Sequence, residues 1–211
     1  MRGGKLSLLI IAGGLFLAAL FNDAYAADAG FEALRKNAAE IKTIQADFIQ
    51  TKSMKILARP LISEGRFYYA EPDSFRWEYL KPLKSIVINH KGQTKRYIYS
   101  GGKMVEDTSG GVQAMKIVLD EITAWMSGKF DQNPSFQAVL QDKGQIKEII
   151  MTPAGKNMEG VIEKIVITLS ARDTAVKSVS IIESATAQTR IDFKNTRINK
   201  ALPAAIFQDV E

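Results

Sequence analysis

The chain contains no cysteine, which excludes a disulfide framework, a thiolate metal site and a cysteine nucleophile. Histidine is nearly absent too. With His90 alone, a multi-histidine metal centre is out, and any serine–histidine pair would have to use that one ring. Six prolines and 15 glycines in 211 residues are too few for a collagen-like or low-complexity chain. Gly101-Gly102 and Gly110-Gly111 lack the strand–glycine–helix setting and the Lys-Ser/Thr of a phosphate-cradling loop. Glu71, Asp73 and Glu78 are acidic neighbours, but no spacing brings two of them to a common cleft for acid–base work. His90 falls in His90-Lys91-Gly92 and reads as an exposed turn residue. Most enzyme readings are thereby weakened, and no catalytic or metal-ligating residue is singled out.

What is present points to a packed domain behind a leader. Hydrophobic residues make up 46% and charged residues 24%, the balance of a globular chain with its own core. Arg2 and Lys5 precede an apolar run from Leu6 to Phe21, and Ala24-Tyr25-Ala26 closes the segment. That is the order of a cleavable secretory signal peptide, and the run is short of the roughly 20 apolar residues that span a bilayer. The expected organisation is a secretory signal peptide at 1–26 and one domain at 27–211. The formal net charge is +5. Secretion argues against nucleic acid as the partner, and a mildly basic surface suits anionic headgroups instead.

Along the mature chain, Phe31, Leu34, Ala38 and Ile41 recur at helical spacing, with Asp28 placed to cap the start. Near Thr43 the period changes to two, through Ile44-Gln45-Ala46-Asp47-Phe48. Ser63–Ala70 and Phe75–Tyr79 alternate on either side of Glu71-Pro72-Asp73, a hairpin with one aromatic and one charged face. Further strands read at Ser85–Asn89, Lys95–Ser100, Ser135–Gln141, Glu148–Thr152, Lys164–Ser170, Lys177–Glu183 and Thr189–Lys194, separated by turn chemistry such as Lys91-Gly92 and Gly101-Gly102. One segment, Val112 to Lys129, instead carries Met115, Val118, Leu119, Ile122, Trp125 and Met126 at three- and four-residue steps, a second amphipathic helix.

Period-two strands make a sheet with one apolar face, and that face must be covered. Two helices are few for so many strands. Either the sheet closes on its own side chains, or it stays partly open with the helices across it as a lid. The lining of such a space would be Phe48, Phe67, Tyr69, Phe75, Trp77, Tyr79, Ile86, Ile88, Met115, Leu119, Ile122 and Met126. These residues can equally be read as ordinary core; methionine on the second helix suits an adaptable, guest-accepting surface.

Three segments in order carry a family resemblance: Ile44-Gln45-Ala46-Asp47-Phe48-Ile49-Gln50, Ser63-Glu64-Gly65-Arg66-Phe67-Tyr68-Tyr69, and Pro72-Asp73-Ser74-Phe75-Arg76-Trp77-Glu78-Tyr79. Together they resemble the pattern I-x-A-x-F-x-Q, S-x-G-x-F-x-Y, P-x-x-F-R-W-x-Y of the outer-membrane lipoprotein carrier, or LolA-like, family. Leu202-Pro203 and Phe207 resemble its closing segment. The resemblance implies a mainly β fold, an incomplete antiparallel β-barrel covered by a helical lid. It also implies a periplasmic carrier without catalysis or cofactor that hides the acyl chains of lipoproteins between an inner-membrane exporter and an outer-membrane acceptor, and such a chain is expected to act as a monomer. Family carriers commonly place an arginine before the proline of the third segment, where it bonds to the lid and governs opening; here that residue is Glu71. A glutamate calls either for a cationic partner, with Arg35, Lys36 and Lys116 as the helix-borne choices, or for a lid that opens more readily than in arginine-bearing relatives. Two alternatives keep the scaffold: a carrier of another lipid, such as a glycolipid, for a dedicated export system, and a protein-interaction or sensor domain.

Overall fold

The computed structural model describes residues 30–108, 121–155, 161–170, 175–208 and 210. The leader, Asp28, Met115, Lys116, Val118 and Leu119 lie outside the described residues. A first helix, α1, spans residues 30–39 and turns Phe31 and Leu34 inward. Eleven strands follow: β1 (Thr43–Met54), β2 (Leu61–Ala70), β3 (Ser74–Lys81), β4 (Ser85–His90), β5 (Gln93–Ser100), β6 (Lys103–Glu106), β7 (Phe136–Asp142), β8 (Lys147–Pro153), β9 (Lys164–Leu169), β10 (Val176–Ser184) and β11 (Ala187–Ile198). Between β6 and β7 residues 121–126 are helical and form α2 as described.

All pairings are antiparallel, in the order β6-β5-β4-β3-β2-β1-β11-β10-β9-β8-β7. The outer strands β6 and β7 do not pair with each other, so the curved sheet is an open barrel. Two-residue turns with positive φ at both positions, Lys91-Gly92 and Gly101-Gly102, join β4 to β5 and β5 to β6, the geometry that matches strand twist. The Glu71–Pro72 and Lys81–Pro82 peptides are cis.

Directly opposed residues of an antiparallel pair share a face, so the register assigns the faces. Ile44 opposes Tyr69, Ala46 opposes Phe67 and Phe48 opposes both Gly65 and Phe193. Phe67 then opposes Trp77, and Trp77 opposes Val87. This face, with the inward sides of α1 and α2, forms the main core. On the other side of β2–β4, Tyr68, Arg76 and Ile88 oppose one another in sequence across the sheet.

Ile86 and Ile88 stand on that second face, and this corrects their expected place beside Trp77. Their partners in β3 are Glu78 and Arg76, and they pack with Tyr68 and Phe207 in a separate cluster. The residue of β4 that shares the face of Trp77 is Val87. The second face is covered by the C-terminal segment, where a 3-10 turn at Ala204–Phe207 lies over β3 and β4. Arg76 is buried beneath it, with its guanidinium donating to the Ile206 carbonyl at 3.2 Å and to Glu78 at 3.3 Å. His90 is likewise no free turn residue. It ends β4, its ring is parallel to that of Phe207 at 5.9 Å, and its Nδ1 is 2.9 Å from the Ser74 hydroxyl.

Candidate functional site

The covered face of β1–β3 is an aromatic floor. The rings of Phe48 and Trp77 lie 4.3 Å apart, Phe67 is 5.5 Å from Trp77, and Phe193 meets Trp77 edge-on at 6.1 Å. Tyr79 stands edge-on to Phe48 at 5.3 Å and donates its hydroxyl proton to Gln50 Oε1 at 2.9 Å. The alternation of β1, β2 and β3 puts these rings on one side, and burial of their area drives the cover down onto them. Trp77 is 2% exposed and Phe75 1%. The floor is core.

Of the expected lining, Phe48, Phe67, Tyr69, Phe75, Trp77, Ile122 and Met126 belong to one cluster, with Tyr79 packed against it. Ile86 and Ile88 do not, for the reason of register given above. Met115 and Leu119 lie outside the described residues. The sequence reading did not single out Phe193 of β11 or Phe130 after α2, and both join the same cluster; Phe193 follows Ile191 at period two, the signal that marks it.

The cover is fastened at identifiable points. α2 ends at Gly128, whose φ is +74°; Gly128 N–H donates to the Trp125 carbonyl and Lys129 N–H to Ala124, a left-handed helix stop. A Cβ on Gly128 would stand 2.8 Å from Ala38 Cβ and 3.0 Å from Arg35 Cα, so glycine lets the two helices touch here. Arg35 spans the same junction, one nitrogen donating to both oxygens of Asp131 at 2.8 and 2.9 Å and another group to Glu32 at 3.0 Å. Those bonds raise the Arg35 pKa further above its already high ordinary value. From the sheet, the Tyr69 hydroxyl lies 3.1 Å from Ser127 Oγ, which itself donates to the Thr123 carbonyl.

Burial raises the Tyr69 hydroxyl above the usual tyrosine value, against the opposing bond from Ser127. Burial also raises Tyr79, against its bond to Gln50. Both side chains are therefore neutral at physiological pH. The indole N–H groups of Trp77 and Trp125 are buried and have no hydrogen-bond partner among the described residues, a costly arrangement for a donor.

Among the described residues, Glu71 bonds to neither helix. Its carboxylate pairs with Lys42 Nζ at 2.6 Å, between side chains that are both largely exposed, and its N–H donates to the Lys42 carbonyl. Arg35, one of the partners the sequence suggested, is bonded to Asp131 and Glu32 instead.

The model of the family described as "Outer membrane lipoprotein carrier protein LolA" matches residues 39–209. An outer-membrane lipoprotein carrier protein of Dechloromonas aromatica is 25% identical over 168 residues, covering 79% of this chain and 76% of that one. One of the same name from Methylibium petroleiphilum is 26% identical over 196 residues, covering 92% of each. Among solved structures, an uncharacterized conserved protein of Thermus thermophilus superposes with a TM-score of 0.55 at 10% identity, over 87% of this chain and 94% of that one. The MucA/MucB complex structure of Pseudomonas aeruginosa gives 0.50 at 15%, over 83% of this chain and 58% of the other. The family match runs from the end of α1 through the closing segment, the same stretch that builds the floor and its cover, and the chain thus belongs to the LolA outer-membrane lipoprotein carrier family.

Proposed function

We propose that this protein is a periplasmic carrier that shields the acyl chains of lipoproteins and moves them from an inner-membrane exporter to an outer-membrane acceptor. Export would follow from the signal peptide at 1–26, and the mature domain at 27–211 would work as a monomer, by binding rather than catalysis. The observation that carries this reading is the aromatic floor under a cover tied down by a few polar contacts. Lifting α2 would free an apolar surface on which an acyl chain replaces helix side chains, at about 25 cal/mol per Å² of apolar area hidden from water. The unpartnered indole N–H groups of Trp77 and Trp125 would there meet a carbonyl of the cargo.

The test is titration of delipidated mature protein with a fluorescent fatty-acyl ligand. Saturable binding near one chain per protein is expected. A folded spectrum without saturable binding refutes the carrier reading.

A second reading, delivery of a different lipid such as a glycolipid, is favoured by Glu71 pairing with Lys42 and with no helix residue among those described. Complementation of a carrier-depleted strain distinguishes the two: full rescue, unchanged by Glu71→Arg, selects lipoprotein delivery.

A further inference from the structure

The strand registers place several chain reversals at one rim of the sheet. Lys52 opposes Leu61, and Met54 opposes Ala187, so the β1–β2 and β10–β11 connections lie side by side. Lys81 opposes Glu64 and Ser85 opposes Ile98, which brings the β3–β4 loop and the end of β5 to the same rim.

The apolar side chains here are unusually bare. Ile56 is 84% exposed, Leu61 56%, Ile62 58% and Leu83 80%. Tyr99, also exposed, stands beside the loop with Lys84 Nζ 5.3 Å above its ring. Single exposed aliphatics need no explanation, but a group at one rim does. Between Ile56 and Leu61 the connection also frames an open cleft of about 380 Å³.

Charge selects the partner. The nearby acids Glu64 and Glu183 are matched by Lys81 and Lys52, whereas Lys55 and Arg59, on the connection itself, have no acidic partner among the described residues. Protruding aliphatics interleaved with uncompensated cations suit the interface of an anionic bilayer, where alkyl groups enter the acyl boundary and cations stay among the headgroups.

We infer that the β1–β2 tip, from Lys55 to Ile62, docks this rim on anionic phospholipid, with Leu83 and Tyr99 as flanking contacts. Docking is separable from cargo binding: a protein could pass the acyl titration and fail here, or the reverse.

The cysteine-free chain allows single labelling sites. An environment-sensitive fluorophore is attached through Ala58→Cys at the tip, and in a second protein through Gln145→Cys, in the β7–β8 connection at the opposite rim. Each is mixed with vesicles of phosphatidylethanolamine and phosphatidylglycerol, or of phosphatidylcholine alone. The expected result is a blue shift at the tip label with the anionic vesicles, fading with added salt, and none at the control label.

In the Ala58→Cys background, Ile56→Ser should weaken vesicle partition about tenfold. Lys55→Glu with Arg59→Glu should remove the preference for anionic lipid. These positions are exposed, and an unchanged melting temperature verifies the fold. No shift, an equal shift at both labels, an equal shift on both lipids, or indifference to Ile56→Ser each overturns the inference; the first would leave the rim to a protein partner.

Discussion

Tyr69 in β2 and Ser127 at the end of α2 hold their hydroxyls 3.1 Å apart, 58 residues from each other in sequence. Each hydroxyl also has a carbonyl within reach, Pro72 for Tyr69 at 3.4 Å and Thr123 for Ser127 at 3.0 Å, so either can supply the shared proton. This bond joins the floor to its cover. Tyr69→Phe keeps the ring and removes the bond, so it should lower unfolding free energy by only about 1 kcal/mol, a few degrees in Tm. It should also speed entry of an acyl probe. Differential scanning calorimetry and stopped-flow binding check the two parts; slower entry would mean that this contact does not restrain the cover.

Stability should fall in strong alkali. The hydroxyl of Tyr79, like that of Tyr69, has its folded pKa raised, chiefly by burial. The folded state therefore holds its proton above the unfolded value of about 10, where the unfolded chain has released it. The contribution is fully present below pH of about 10 and is lost as pH rises through the folded value. Urea midpoints measured on either side of that point should drop, and Tyr79→Phe should flatten the drop.

Gly65→Ala should be severely destabilising, though its neighbours on β2 tolerate side chains. A Cβ there would come 2.2 Å from the Glu78 carbonyl oxygen and 2.2 Å from Phe48 Cζ. The carbonyl belongs to the adjacent strand and the ring lies on the aromatic floor, so neither yields cheaply. A loss of about 3 kcal/mol is expected, read from chemical denaturation. An unchanged midpoint would mean that the ladder shifts to accommodate the methyl.

That same glycine shows what the sequence made legible. Its alternation with Phe67 and Tyr69 in Ser63–Ala70 marked the face it shares, while the close approach comes from the β2–β3 register, which shifts between Glu64 and Gly65. Strong alternation also placed Phe48, Phe67, Phe75 and Trp77 on one face, as found. Legibility failed where alternation did. Ile86, Val87 and Ile88 are all buried, on two different faces, because the C-terminal segment covers the back of β4; an unbroken apolar run carries no phase. The short β6, Lys103–Glu106, has too few residues to show a period. The Glu71 pair with Lys42 depends on how β1 and β2 lie together at their Thr43–Ala70 end, a distance the local pattern does not encode.

The position of β1 between β2 and β11 has a temporal meaning. Lys42 N–H donates to Asn199 Oδ1 across 157 residues, and the seam beyond it runs from Ile44 against Ile198 to Met54 against Ala187. Pairings so distant along the chain form slowly. The centre of the sheet cannot be finished until β11 has been made, so β1 waits with one edge unpaired while every strand from β2 to β10 is added.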